Sequence, residues 1–65
     1  RSAHLRSVSA ALADLSPKQS AAFSLRYLEG LSLDEVAFAL SCERGTARVH
    51  LQRAVSALRE RGVLP

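Results

Sequence analysis

From Arg44 to Leu58 the apolar residues recur at the spacing of one helical stripe, and that stripe has to be buried. Advancing about 100° per residue places Ala47, Leu51, Ala54, Val55 and Leu58 on one side. Gly45, Thr46, Arg48, Val49, Gln52 and Arg53 fall on the other. The second set holds two arginines, small residues and an amide, with no carboxylate. Such a face suits contact with a polyanion. The remainder of the chain then has to supply what the stripe packs against, and to aim the opposite face outward.

A chain of 65 residues has little material for this. A domain of that size buries only about 60% of the surface its unfolded form exposes. A thin core under a few short helices is the expected solution. Hydrophobic residues make up 48%, the proportion of a globular chain. Nine Lys and Arg against six Asp and Glu give a net charge of +3, which favours an acidic partner. The one cysteine, Cys42, allows neither an intrachain disulfide nor a cysteine-rich metal site, and fits a reducing, cytoplasmic setting. No run of about 18 apolar residues is present, so no membrane-spanning helix is expected. The N-terminal residues lack the apolar core of a signal peptide. The chain opens on Arg1 rather than methionine and is read as a piece of a longer protein.

Two helix starts punctuate the middle. In Ser16-Pro17-Lys18-Gln19 the serine can accept from the third amide and Gln19 can reach back to the serine amide. Pro17 stands where a missing N–H costs nothing. Ser32-Leu33-Asp34-Glu35 is a second capping box, with both carboxylates at the positive end of a helix. Gly30 between them can take the left-handed conformation that stops a helix. The sequence therefore predicts one all-α domain over 1–65, with helices at about 4–13, 17–28, 33–40 and 44–61. Inward positions are Leu5, Val8 and Leu12 in the first, then Ala21, Phe23, Leu25 and Leu28 in part. Val36, Ala37 and Leu40 are inward in the third. No sustained alternation or Asn-Gly turn competes for a strand reading. Only Ser41-Cys42-Glu43 separate the third helix from the last, which is helix-turn-helix spacing. Small Ala37 allows a close crossing there, and Cys42 can plug the turn. The fold expected is a small four-helix domain containing a helix-turn-helix, of the winged-helix-like DNA-binding class without a wing. An ordinary helical hairpin has the same spacing.

Several segments together resemble a known family. They are Leu15-Ser16-Pro17-Lys18-Gln19, the run from Phe23 to Ser32 with its Arg26-Tyr27-Leu28-Glu29-Gly30-Leu31-Ser32, then Asp34-Glu35-Val36-Ala37, Gly45-Thr46-Ala47-Arg48 and Gln52-Arg53-Ala54. From about Ala10 to Arg61 the chain is similar to region 4 of the extracytoplasmic-function sigma factors of bacterial RNA polymerase. The resemblance implies a four-helix domain whose last helix reads the promoter −35 element in the major groove. It implies docking on the β flap of the polymerase core, and in many members capture by an anti-sigma factor. By matched position, Arg48, Val49, Gln52 and Arg53 are implied to contact bases and phosphates. Gly45 and Thr46 correspond to the helix start that approaches the backbone, and Arg26 and Ser32 to backbone contacts from earlier elements. The helical wheel independently places Arg48, Val49, Gln52 and Arg53 on one displayed face. Either arginine could donate to guanine edges or to phosphates, and helix-start amides could hold a phosphate.

The chain departs from the family pattern at four places. Ser41 stands where glycine is frequent, so it must accept a strained turn or the turn differs slightly. Glu43 replaces a serine or threonine cap and would repel a nearby phosphate. Ala47 replaces valine beneath the last helix. Val49 replaces a serine in the displayed face, where it can touch a thymine methyl or simply be exposed.

Two other readings stay open. The effector domains of two-component and quorum-sensing activators also carry a serine-proline start and a Gly-Thr-x-x-Val-His-Leu helix, matched here by Gly45 to Leu51; they bind DNA as dimers. Alternatively the domain serves mainly in protein interaction, because Phe23, Tyr27, Leu28, Phe38, Val63 and Leu64 exceed what so small a core can hide and can form a patch for a partner helix. An enzyme is not expected. His4 and His50 are far apart with no carboxylate in reach, no serine lies in a nucleophile elbow, and no metal-ligand spacing occurs. No cofactor is expected either.

Overall fold

The computed structural model describes the backbone of residues 2–64 and the side chains of residues 7–64. Four helices follow in order: α1 over Ser2–Ala13, α2 over Pro17–Phe23, α3 over Leu33–Ala39 and α4 over Arg44–Glu60. A π-helical turn, Ser24–Leu28, continues α2. No strand occurs among the described residues.

The local starts are those the sequence encodes. The Ser16 hydroxyl accepts from the Gln19 amide at 3.2 Å, with Pro17 in the first turn. Only this serine half of the first box is formed. The second box is complete. The Glu35 N–H donates to the Ser32 hydroxyl at 3.2 Å, and the Ser32 N–H donates to the Glu35 carboxylate at 2.8 Å. The backbone bond from Ser32, then the Ser32 hydroxyl, hold the Glu35 carboxyl below its ordinary value. A lowered folded-state pKa means this contribution is present above the unfolded carboxylate range and is lost as pH falls through the folded value. Glu35→Gln keeps an acceptor but does not titrate. Its stability should therefore fall less steeply than the wild type's as the solution is acidified through the carboxylate range, read by circular dichroism.

The stops follow one scheme. After α4, the Val63 N–H donates to the Leu58 carbonyl at 3.0 Å and the Gly62 N–H to the Arg59 carbonyl at 2.9 Å, around Gly62 at φ 75°. After α3 the same Schellman pattern recurs without glycine. The Cys42 N–H donates to the Ala37 carbonyl at 3.0 Å and the Ser41 N–H to the Phe38 carbonyl at 3.1 Å, with Ser41 at φ 55°. Of the two outcomes open at Ser41, the structure has the strained turn. A left-handed non-glycine residue costs about 1–2 kcal/mol, offset in part by the greater unfolded-state freedom of glycine. Ser41→Gly should raise the stability by about 0.5–1 kcal/mol and the melting temperature by a few degrees, read by thermal denaturation.

α4 is the spine, touching α1, α2 and α3. One cluster joins Ala11 and Leu12 of α1 and Phe23 of α2 to Ala54 and Leu58 of α4. The other joins Ala22, Val36, Ala37 and Ala47, with Leu25, Leu40 and Cys42 packed against it. Leu51 packs against both. In the second cluster α2, α3 and α4 each contribute a buried alanine, beside Val36. Cys42 plugs the turn as expected. The Lys18 ammonium reaches across to the Leu40 carbonyl at 3.1 Å and ties the start of α2 to the end of α3.

The α2 region differs from expectation. The π turn takes up one more residue than an α turn, with the Glu29 N–H donating to the Ser24 carbonyl at 2.9 Å. The end of this turn is rotated outward: Leu28, expected to be partly buried, is 61% exposed. Ala22, not expected inward, is fully buried; Ala21 and Leu25 are half-buried as expected, and Phe23, expected inward although also counted among the surplus apolar residues, is buried in the core. Val63 and Leu64 are half-buried against that same core. Tyr27, Leu28 and Phe38 remain exposed, in keeping with the apolar surplus read from the sequence. The expected inward position of Leu5 and the reading of His4 lie outside the described side chains.

Candidate nucleic-acid interface

The two sides of α4 separate as the sequence divides them. Ala47, Ala54 and Leu58 are fully buried, and Leu51 and Val55 are half-buried. Gly45, Thr46, Arg48, Val49, Gln52 and Arg53 are all exposed. The face continues one turn further through Ser56, which shares a shallow depression with Val49, Gln52, Arg53, Ala57 and Glu60. Sequence reasoning passed over Ser56, although its spacing from Gln52 and Arg53 carried the signal. Glu43 and Glu60 bracket the face, so the stretch free of negative charge runs from Gly45 to Ser56. At 1.5 Å per residue that is roughly 17 Å, enough to cross a major groove about 12 Å wide.

The helix start is open. Glu43 takes the cap position with extended backbone but makes no side-chain bond to the first amides. A Cβ built on Gly45 would meet nothing within 4 Å, so no packing demand inside the chain explains a glycine there. Together they leave N–H groups at the positive end of a long helix accessible, the arrangement that holds phosphate.

Among the described residues, the other lysine and arginine side chains are engaged within the chain. Lys18 holds Leu40. The Arg44 guanidinium lies 3.4 Å from the Asp34 carboxylate, and that of Arg61 lies 2.8 Å from Asp14. Arg26 donates to the Leu31 carbonyl at 3.1 Å and stacks 5.6 Å above the Tyr27 ring. Among the described residues, Arg48 and Arg53 make no hydrogen bond or ion pair. Both side chains are exposed.

The eight residues singled out in the sequence fall into two groups. Six share the outward side of α4. Arg26 and Ser32 stand on the segment before α3, where Arg26 braces the loop and the Ser32 hydroxyl caps the helix. His50, at the border of the face, is half-buried. A separate apolar groove of about 400 Å³ is lined by Phe23, Tyr27, Val55, Arg59 and Leu64. The Phe23 and Tyr27 rings meet there at 5.1 Å between centroids. Among the described residues no helix is long and apolar enough to cross a membrane.

A two-turn helix, a tight left-handed turn and a longer helix with an open cationic face define a helix-turn-helix domain of the DNA-binding kind. The family described as sigma-70, region 4, matches residues 5–58, and the chain belongs to that family. In sigma factors generally, region 4 binds the promoter −35 element and core RNA polymerase. No curated protein and no solved structure matches the chain.

Proposed function

We propose that this domain reads the promoter −35 element for a sigma factor of the extracytoplasmic-function type, in the bacterial cytoplasm. α4 enters the major groove. Arg48, Val49, Gln52 and Arg53 meet base edges and phosphates, and the open amides at Gly45 and Thr46 take a phosphate against the repulsion of the neighbouring Glu43 carboxylate. Arg26 and Ser32 approach the backbone from the segment before α3. The domain performs no chemistry and needs no cofactor; it positions the polymerase. The observation that carries this reading is the outward pair of partnerless arginines on a face bearing no carboxylate. The family match over residues 5–58 supports it over a two-component effector domain.

Protein contacts fall to a second surface. The apolar groove at Phe23, Tyr27, Val55 and Leu64 shares no residue with the DNA face and suits a partner helix, such as the β flap of the polymerase or an anti-sigma factor.

The test is selection of duplexes from a random-sequence pool, followed by titration at two salt concentrations. A preferred sequence should emerge. The logarithm of its affinity should fall against the logarithm of salt by about 0.9 for each phosphate neutralised. Recovery of no preferred sequence would refute the reading.

A further inference from the structure

We infer that Val49 selects a thymine, by contact with its 5-methyl group in the major groove. This rests on the promoter-reading function proposed above and goes beyond it in naming what one residue reads. Val49 is 41% exposed, and the other large exposed hydrophobics, Tyr27, Leu28 and Phe38, lie on other elements. It is thus the one large apolar side chain on a face otherwise made of guanidinium, amide, hydroxyl and backbone groups. Its neighbours in the depression include Gln52, Arg53 and Ser56, so its methyls enter the groove wherever those donors do.

Three physical facts convert that placement into a base preference. The major-groove edges of the four base pairs carry one apolar group between them, the thymine methyl. A β-branched side chain in a helix has nearly a single rotamer, so the two Val49 methyls are held in position and lose little freedom on contact. A valine pressed instead on the acceptors of guanine or the amino group of cytosine would strip water from them and return no hydrogen bond. Val49 therefore favours thymine by what it covers and disfavours the alternatives by what it leaves unsatisfied. The thymine lies close to the bases met by Gln52 and Arg53, one helical turn further along α4.

The test uses the 65-residue chain and the duplex it selects from the random pool. Each thymine is replaced singly by deoxyuridine, which removes the methyl and nothing else. At one position the wild-type affinity should drop about fourfold, the effect of one methyl group taken out of water. In Val49→Ala that drop should vanish, and in Val49→Ile it should persist. Circular dichroism verifies that both variants fold, as substitution at an exposed position allows. A selected duplex with no methyl-sensitive thymine, or a sensitivity unchanged in Val49→Ala, overturns this inference and leaves the promoter-reading function standing. Failure to select any sequence overturns both.

Discussion

Arg48→Ala combined with Arg53→Ala lowers affinity for the selected duplex by at least about 30-fold, while the melting temperature stays where it was. Each bidentate base contact is worth about 1–3 kcal/mol of discrimination, so even two contacts at the low end reach that loss. Stability is spared because both side chains are exposed and neither has a partner among the described residues. Surface changes of that kind fall within about 0.5 kcal/mol. The single variants assign the roles. An arginine on a phosphate weakens every sequence alike and lowers the salt slope by about one on removal; an arginine on a base leaves the slope and relaxes the preference at one position. Arg44→Ala is the contrast, because that guanidinium is already committed to Asp34. An exposed ion pair of this type contributes little to folding. Fluorescence titration of the variants at two salt concentrations reads all of these outcomes.

Leu58→Ala, by comparison, should leave little folded protein. Leu58 is fully buried where α1, α2 and α4 meet, and its carbonyl receives the Val63 N–H that closes α4. Emptying such a site costs about 2–5 kcal/mol. A 65-residue domain has a total stability of roughly 3–10 kcal/mol. The melting temperature should fall by about 10 °C or more. Phe38→Ala, at a residue of similar apolar character that is 88% exposed, should move it little. Thermal unfolding followed by circular dichroism separates the pair, and equal losses would mean that the core is misassigned.

These two predictions draw on opposite faces of one helix, and that division was legible in the sequence. Ala47, Leu51, Ala54, Val55 and Leu58 repeat at a spacing that nothing but a helix can satisfy. The capping box at Ser32 and Glu35 was equally plain, since it depends on atoms only three residues apart. Strain at Ser41 was one of two outcomes raised by the family resemblance, in which glycine is frequent at that place.

Features set by distant contacts were not legible. The π turn over Ser24–Leu28 has no local signature. It follows Phe23, which is buried in the core shared with α1 and α4, and contains Arg26, which bridges to the Leu31 carbonyl. Ala21 and Ala22 are the same residue type at adjacent positions, about 100° apart on the helix. The approach of Ala37 and Ala47 decides which of them is buried. The isolation of Arg48 and Arg53 was hidden for the same reason. Arg61 pairs with Asp14 across almost the whole chain, and Arg44 with Asp34 across the helix-turn-helix. The helical wheel shows which side of α4 Arg48 and Arg53 stand on; that they lack partners there emerges only once the fold pairs Arg44 and Arg61 elsewhere.

Amide chemical-shift mapping of the isotope-labelled chain, during titration with the selected duplex, tests the role of the outward side of α4 most directly. The largest changes should fall on Gly45, Thr46, Arg48, Val49, Gln52 and Arg53. Changes concentrated instead on Tyr27, Leu28 and Leu64, with those six amides unmoved, would contradict it.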